Sequence, residues 1–166
     1  MRIIIDGYNL IRRTPDLKMV ERSDMEEARD VLVRDLSVYR AGKRHRISVV
    51  FDGAEGIHLR ESAQKVGGIT VRYSPRGLSA DLVILEAMRN READILVSAD
   101  RELTDAARRG EVTPVSPERF WEKVQDEMYR QLKGDEEEDL EHKGPGAGGR
   151  KLSRSQRRDR ARIDKL

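Results

Sequence analysis

Four aspartates occupy similar places in this chain, each beside an apolar run. Asp6, Asp52 and Asp100 come at or just after the ends of three short runs rich in Ile, Val and Leu, and Asp81 lies near the start of an amphipathic segment. If the runs are parallel strands, the acids collect at one edge of one sheet, where ligands of such sheets bind. Converging carboxylates repel one another unless a divalent cation holds them. The spacing therefore predicts a metal-dependent enzyme.

Each aspartate also has an ordinary structural explanation. Asp6 and Asp52 precede glycine and are typical of turns, Asp81 would favour the positive end of a helix dipole, and Asp100 suits a helix N-cap. For any single aspartate this explanation is the simpler one. Four such coincidences at one edge are much harder to accept, so the catalytic interpretation is preferred.

Two polar residues extend the predicted site. Asn9 offers an amide that can bind water, a phosphate oxygen or a neighbouring carboxylate, and Ser98 can orient a metal-bound water or Asp100. The alternatives are a turn-forming asparagine and a plain strand-end hydroxyl. We include both among the candidate catalytic residues.

The elements that must position these residues alternate along the chain between continuous apolar runs and helix-period stripes. Such alternation predicts an α/β fold, with a parallel sheet covered by helices on both faces. A helix is capped by Ser79, another by Asp100, and a third has proline at its first position. The predicted strands are residues 2–5, 47–51, 69–73, 94–97 and 111–115, and the predicted helices are residues 24–41, 79–90, 101–109 and 116–132.

The amino-acid composition limits how the core can be built and which kinds of site the chain can form. The chain has 166 residues, 37% of them apolar and only 4% aromatic, so Ile, Val, Leu and Ala must form the core. It contains no cysteine, which excludes disulfides and cysteine-bound zinc and suits a reducing cytoplasm. No secretory signal or bilayer-spanning stretch is evident, and we expect a soluble cytoplasmic protein.

The charge pattern divides the chain in two. Residues 1–134 are nearly neutral, residues 135–141 contain six acids and no base, and residues 142–166 contain nine bases and two acids. With a glycine-rich stretch between the charged blocks, this composition predicts a folded domain over residues 1–133 and a disordered tail over residues 134–166. The basic end is either a solvated terminus or a salt-sensitive RNA contact, and it would form a helix on binding an anion.

The residue types favour one kind of metal. Aspartates without cysteine suit Mg²⁺ or Mn²⁺ far better than zinc. The histidines, His45, His58 and His142, fall away from the predicted acidic edge, which disfavours a metal-free ribonuclease that uses two histidines. We therefore expect Mg²⁺ or Mn²⁺ as the cofactor.

Bases near the acids would contact the substrate. Such contacts hold phosphates without reading sequence. Tyr8 would stack on an unpaired base or pack beneath the first loop. The cationic candidates are Arg12, Arg13, Arg60, Lys65 and Arg76, of which Arg76 is preferred because it lies close to Asp81 in the sequence.

Four segments, taken in order, resemble a known family. They are Ile-Ile-Asp-Gly-Tyr-Asn-Leu-Ile at residues 4–11, Val-Phe-Asp-Gly at 50–53, Ser-Ala-Asp-Leu-Val-Ile at 79–84 and Val-Ser-Ala-Asp-Arg-Glu-Leu at 97–103. This set resembles the NYN branch of the PIN-like nucleases, and within it the YacP-like bacterial proteins. The resemblance covers roughly residues 1–130.

The resemblance implies a PIN-like three-layer sandwich with a five-stranded parallel sheet. It also implies an acidic pocket that holds Mg²⁺ or Mn²⁺ and cuts RNA endonucleolytically, leaving 5′-phosphate and 3′-hydroxyl ends. RNA is the implied partner, and some relatives act on messenger RNA in contact with the ribosome. By position, the acidic residues of the family correspond to Asp6, Asp52, Asp81 and Asp100, and its polar helpers to Asn9 and Ser98.

A different class of function competes with the nuclease. A non-catalytic RNA-binding module would keep the fold and the acidic pocket but act by recruiting a partner. The presence of all four acids favours the enzyme. A haloacid-dehalogenase-type phosphatase fits poorly because Tyr8 stands where its second aspartate would be. A dinucleotide-binding domain would need a glycine-rich turn after the first strand, which this chain lacks. A receiver domain would need an aspartate after its third strand, where Tyr73, Ser74 and Pro75 stand instead.

Overall fold

A computed structural model describes residues 1–53, 62–133 and 154–166 of the chain. Helices and strands alternate along the first two of these stretches, and a short helix lies in the third. The elements are β1 (Arg2–Asp6), α1 (Gly7–Arg13), α2 (Pro15–Ser23), α3 (Met25–Lys43), β2 (Arg46–Phe51), β3 (Ser62–Val66), β4 (Ile69–Tyr73), α4 (Ala80–Arg89), β5 (Ile95–Val97), α5 (Arg101–Arg109), β6 (Thr113–Val115), α6 (Pro117–Lys133) and α7 (Arg154–Ile163).

The strands form one sheet in the order β3-β4-β2-β1-β5-β6. Five of them are parallel, which confirms the predicted parallel sheet, and β3 adds an antiparallel edge strand paired with β4. After β1, the strands β2, β4 and β3 are added on one side of it. The chain then crosses back, and β5 and β6 are added on the other side of β1. Strand order therefore reverses between β1 and β5, which is where open α/β sheets bind ligands.

The two faces of the sheet build separate cores. Ile3, Ile5 and Val49 face the side covered by α1, α3 and α6, whereas Ile4 and Val50 face α4 and α5. Because successive side chains of a strand point to opposite faces, a continuous apolar run serves both cores. None of the helices in the described stretches is both long and apolar enough to cross a membrane.

The first helices were not predicted from the sequence. The Asp-Gly pair at the end of β1 was weighed as a turn, yet α1 begins directly at Gly7, with Asp6 as its N-cap. A Cβ on Gly7 would lie only 2.3 Å from the ring of Phe51. The glycine therefore permits close packing of helix on strand. Pro15 then opens α2 at its first turn, a position where proline is favoured.

The segment predicted to be irregular after β2 contains β3. Gly67 and Gly68 join β3 to β4 with φ angles of 56° and 81°, the left-handed conformation that two-residue hairpins require and that glycine adopts without strain. A side chain at either position would also clash with α3, at Ser37 and Arg40 respectively. Residues 54–61, which include His58 and Arg60, lie outside the described residues.

The tail departs from the predicted disorder at its end. Residues 154–166 contain α7, and the side chain of Leu166 is buried against the first core, where the Tyr39 hydroxyl donates a hydrogen bond of 2.6 Å to the Leu166 carbonyl. Thr113 also donates to Asp159 over 2.9 Å. The prediction counted too few apolar residues for ordering, but one well-placed leucine and these polar contacts anchor the helix. The acidic block and the glycine-rich stretch lie outside the described residues.

Candidate active site

A cavity of about 360 Å³ lies at the carboxyl edge of the sheet, beside the point where strand order reverses. It brings together side chains from the ends of β1 and β2 and from the starts of α4 and α5. All four predicted aspartates, both predicted arginines of α1, Tyr8 and Asn9 contribute to it. The lining residues are Asp6, Tyr8, Asn9, Arg12, Arg13, Asp52, Ser79, Ala80, Asp81 and Asp100.

Asp6 is the most buried of the four acids, with 8% of its surface exposed. Its carboxylate accepts hydrogen bonds from the Asn9 backbone NH at 3.2 Å and the Ser98 hydroxyl at 3.0 Å. Burial raises the pKa of Asp6 to about 6; these two bonds oppose the rise, and the charges of Asp81 and Asp100 add to it. Asp6 therefore takes up a proton more readily than an exposed aspartate does.

Ser98 and Asn9 join the two strand ends that flank the cavity. The Ser98 hydroxyl donates to Asp6 and accepts from the Asp100 backbone NH at 3.0 Å, so one buried side chain positions both acids. The Asn9 amide oxygen accepts from the Ala99 backbone NH at 2.9 Å. Both residues act here as positioning groups for the carboxylates.

Asp100 and Asp81 enter the cavity from helix starts. Asp100 caps α5 by accepting from the Leu103 backbone NH at 2.9 Å, as its sequence position predicted. Asp81 lies in the first turn of α4, and its pKa is raised by burial first and then by the charges of Asp100, Asp52 and Glu102. Asp81 therefore lies close enough to Asp52 and Asp100 for their charges to affect its pKa.

Asp52 is held by a residue that the sequence analysis missed. Ser74, buried just after β4, donates a 3.3 Å hydrogen bond to the Asp52 carboxylate and accepts a 3.0 Å bond from the Gly53 backbone NH. A Cβ on Gly53 would lie 2.1 Å from the Ser74 carbonyl oxygen. A hydroxyl directly after a strand at the same edge was the available signal, parallel to that of Ser98.

The cations of the cavity are already engaged in ion pairs. Arg12 lies 3.0 Å from Glu21 and 5.4 Å from the centroid of the Tyr8 ring, and Arg13 lies 3.9 Å from Glu118. Both arginines lie at the rim of the cavity. Neither forms an ion pair with any of the four aspartates, so the aspartates lack a neighbouring salt-bridge partner among the described residues.

The other predicted substrate contacts are placed differently. Tyr8 packs against Phe51, with ring centroids 5.2 Å apart, and therefore has one face covered. Arg76 lies in the exposed turn before α4 and does not line the cavity. Lys65 lies on β3 at the opposite edge of the sheet, far from the acids. Arg60 lies outside the described residues.

The donor set suits a hydrated hard cation. All four acidic groups are carboxylates, and no three acidic or imidazole groups in residues 1–53, 62–133 and 154–166 are placed to ligate one ion directly. Magnesium usually keeps several waters and takes only one or two carboxylates directly, so the remaining acids would act through water. Burial first, and then the neighbouring carboxylates, raise the pKa values of Asp6 and Asp81, and a cation held here would favour the ionised form of both.

The one histidine in the described stretches lies elsewhere. His45 is buried just before β2, at the other end of the strand from Asp52, with its ring 6.0 Å from that of Tyr39. Burial lowers its pKa, as expected for an imidazole in a core. His45 is therefore a structural residue and not part of the cavity.

Comparison with known proteins places the chain in a family. The family model of the YacP-like NYN domain matches residues 3–164. The protein YacP of Bacillus subtilis (strain 168) is 35% identical over 66 residues, an alignment that spans 39% of each chain. The crystal structure of Rae1 (YacP) from the same organism aligns with a TM-score of 0.67 and 24% identity over 80% of this chain and 78% of that one, and a mutant form aligns with a TM-score of 0.66 over 80% of each chain. The chain therefore belongs to the YacP-like NYN domain family, a family of PIN-like nucleases.

Proposed function

We propose that this protein is a metal-dependent endoribonuclease that cuts single-stranded RNA in the cytoplasm. The observation that carries the proposal is the convergence of four carboxylates on one 360 Å³ cavity at the point where strand order reverses. Maintaining this cluster is unfavourable for the folded protein, since burial and mutual repulsion raise the pKa values of Asp6 and Asp81. Perturbed acids gathered in a cleft are characteristic of catalytic sites.

The chemistry needs a divalent cation, Mg²⁺ or Mn²⁺, which when bound activates water and offsets charge on the phosphate being cut. Asp6 and Asp100 would hold it, because Ser98 and the start of α5 fix both carboxylates in place. Asp81 and Asp52 face the same cavity and would orient the attacking water and the hydrated ion. The family resemblance implies products with a 5′-phosphate and a 3′-hydroxyl, and we propose the same ends here.

The rim supports a single-stranded substrate. Arg12 and Arg13 lie beside the acids and would position phosphates without reading sequence. Tyr8 lines the same cavity with Phe51 and Arg12 against its ring, and we propose that an unpaired base stacks on it in place of the Arg12 guanidinium. Messenger RNA in contact with the ribosome is the setting we propose for the natural substrate.

A second candidate function is an RNA-binding module without catalytic activity. The observation in its favour is that no three acidic groups in the described stretches are placed to ligate one ion directly. Such a module would bind RNA through the same rim and recruit a partner protein. It would do so equally well with or without a divalent cation.

The deciding experiment compares cleavage of an end-labelled single-stranded RNA by the wild type, by Asp81→Asn and by Asp105→Asn. Asp105 is an acid of α5 that is absent from the lining of the acidic cavity, and it serves as the matched control. We expect cuts with Mn²⁺ or Mg²⁺ in the wild type and the control, none with chelator, and none with Asp81→Asn. Cleavage that survives chelator or the Asp81 change would overturn the proposal; a wild type inert on free RNA and on translating ribosomes alike would favour the binding module.

A further inference from the structure

A second cavity, of about 660 Å³, lies at the opposite edge of the sheet, where the parallel strands begin. Its charge is the reverse of that at the carboxyl edge, because it is lined by five cationic side chains and one carboxylate. Ser48, Thr70 and Asn90 add neutral hydrogen-bonding groups. The cationic residues are Arg2, Arg40, Arg46, Lys65 and Arg91, and the acid is Glu92.

Strand register explains how this surface arises. Arg46 pairs with Arg2, Ser48 with Thr70 and Thr70 with Lys65, so these side chains share one face of the sheet. The same face carries apolar residues further along β1 and β2, where α4 packs on it. Toward β4 and β3, polar and cationic residues such as Thr70 and Lys65 replace the apolar ones on that face.

Several of the cations have no local counter-charge. Arg2 pairs with Asp94 at 2.7 Å, but Arg46, Lys65 and Arg91 form no ion pair with any carboxylate in the described residues. The guanidinium of Arg40 lies against Gly68 and also lacks such a pair. Like charges gathered without counter-ions create a positive potential that attracts an anionic ligand.

The helix α7 adds further positive charge beside this cavity. Arg162 donates to the backbone carbonyls of Asp94 at 3.2 Å and Glu111 at 2.9 Å, and Asp94 is also the partner of Arg2. This helix contains five arginines in ten residues. The cavity and α7 thus border one another at the start of β5.

We propose that this surface, formed by Arg40, Arg46, Lys65 and Arg91 with Ser48, Thr70 and Asn90, binds the phosphate backbone of an RNA segment other than the one being cut. We call it the amino-edge surface. Arginine and lysine beside hydroxyl and amide groups are the usual set for phosphate contacts, which are independent of sequence. A five-residue strand separates the two edges by roughly 17 Å, so a long or folded RNA would engage both while a short oligonucleotide fills only the acidic cavity. The inference rests on the proposed function in taking RNA as the ligand.

The test is charge reversal with Arg46→Glu/Lys65→Glu, measured as RNA binding in the presence of chelator over a series of salt concentrations. The probes are a six-nucleotide single strand and a 40-nucleotide stem-loop. Lys18→Glu/Arg22→Glu is the matched control, because both residues are exposed and line neither cavity. A milder pair, Arg46→Gln/Lys65→Gln, serves if the reversed variant fails to fold by circular dichroism.

We expect the amino-edge variant to bind the stem-loop about tenfold more weakly. Its salt slope should be smaller by about 1.4 to 1.8, since each of the two lost phosphate contacts contributes roughly 0.7 to 0.9. Its binding to the six-nucleotide strand and its metal-dependent cutting of that strand should equal those of the control. Wild-type affinity and slope for the stem-loop would overturn the inference, as would equal losses on both probes.

Failure of this inference is distinguishable from failure of the proposed function. Binding is measured without divalent cation, so a protein that cuts nothing still reports on the amino-edge surface. A wild type that cuts RNA while the variant binds the stem-loop normally would leave the nuclease standing and remove the second contact.

Discussion

The two edges of this sheet differ in how their charged groups are held. At the carboxyl edge, Asp6, Asp52 and Asp100 each accept hydrogen bonds from neighbouring side chains or backbone, and they crowd into one cavity. At the amino edge, Arg46 and Lys65 project from strands with no paired carboxylate among the described residues. The hydrogen-bonded aspartates suit a reaction at a defined atom of the substrate. Arg46 and Lys65, which have no ion-pair partner in the described residues, suit phosphate contacts that do not depend on RNA sequence.

The edges also differ in what their charge does to stability. Burial and mutual repulsion raise the pKa values of Asp6 and Asp81, so their ionisation opposes folding, and the hydrogen bonds to Asp6 offset part of that cost. The Arg2–Asp94 pair at the amino edge has the reverse effect, since its hydrogen bonds and charge lower the pKa of Asp94. We therefore interpret the four carboxylates as a functional cluster and the Arg2–Asp94 pair as a stabilising one. Four substitutions test this difference.

The largest effect is expected from Asp6→Asn. The asparagine amide oxygen can still accept from the Asn9 backbone NH, and its NH₂ group can donate to the Ser98 oxygen instead of accepting from the hydroxyl. Folding should therefore persist while the charge is lost. We expect single-turnover RNA cleavage to fall by roughly 10²- to 10⁴-fold, the range for groups acting in a transition state. Melting temperature should not fall at pH 7. Cleavage within threefold of the wild type would remove Asp6 from the catalytic group.

The next effect concerns pH and stability without metal. Because the folded protein binds a proton on Asp6 with a pKa of about 6 instead of 3.8, its unfolding free energy should decrease as pH rises from about 4 to 6. Protonation of Asp6 contributes at most about 3 kcal/mol to the unfolding free energy. Denaturant titrations of the wild type and Asp6→Asn at each pH isolate it as their difference.

Asp94 should show the opposite sign in the same titrations. Since Arg2 lowers its folded-state pKa, the stabilisation is present above pH 4 and is lost as pH falls below it. Asp94→Asn should therefore weaken the protein at pH 7 and cease to matter in acid. Parallel pH curves for Asp6→Asn and Asp94→Asn would contradict the contrast between the edges.

A smaller effect is expected from Ser98→Ala. The change removes the hydrogen bond to Asp6 and the acceptor for the Asp100 backbone NH, so both acids lose their orientation. We expect cleavage to fall by about tenfold, in line with a lost buried hydrogen bond worth 1 to 2 kcal/mol. Because that bond also opposes the rise in the pKa of Asp6, the pH midpoint of cleavage should move upward. Ser98→Thr retains the hydroxyl and should recover part of the rate with the original midpoint.

The smallest effect is expected from Arg76→Ala. This arginine was the preferred phosphate contact by sequence, but it is exposed in a turn and does not line the acidic cavity. We expect less than a twofold change in cleavage, as is usual for an exposed charge. A larger loss would extend the RNA path beyond the cavity toward this turn.

Local signals in the sequence predicted much of the site. When strands are parallel, their carboxyl ends lie on the same side of the sheet, so an acid that follows a strand or begins the next helix can be placed from the sequence. This is how Asp6, Asp52, Asp81 and Asp100 were predicted to lie close together, and all four line the cavity. Ser74 was missed because its role depends on β4 lying beside β2, a pairing that sequence does not specify.

The same limit explains the other misses. Lys65 was assigned to the acidic edge from its place after Asp52, but an antiparallel hairpin carries it to the opposite edge. The short helix α1 escaped detection because Gly7 looks like a turn residue until the ring of Phe51 is seen against it. Leu166 gave almost no signal, since one apolar residue in a charged segment shows no periodicity.

The docking of α7 has a consequence for self-association. An outermost strand offers unpaired backbone groups to which another molecule can add a strand, and proteins block this with proline, charge or a covering segment. In β6, Pro114 lacks an amide hydrogen, and Thr113 bonds to Asp159 of α7. At the far end of the sheet, β3 presents Gln64 and Lys65. Releasing α7 would therefore remove one of the two features that protect β6 and leave Pro114 as the other.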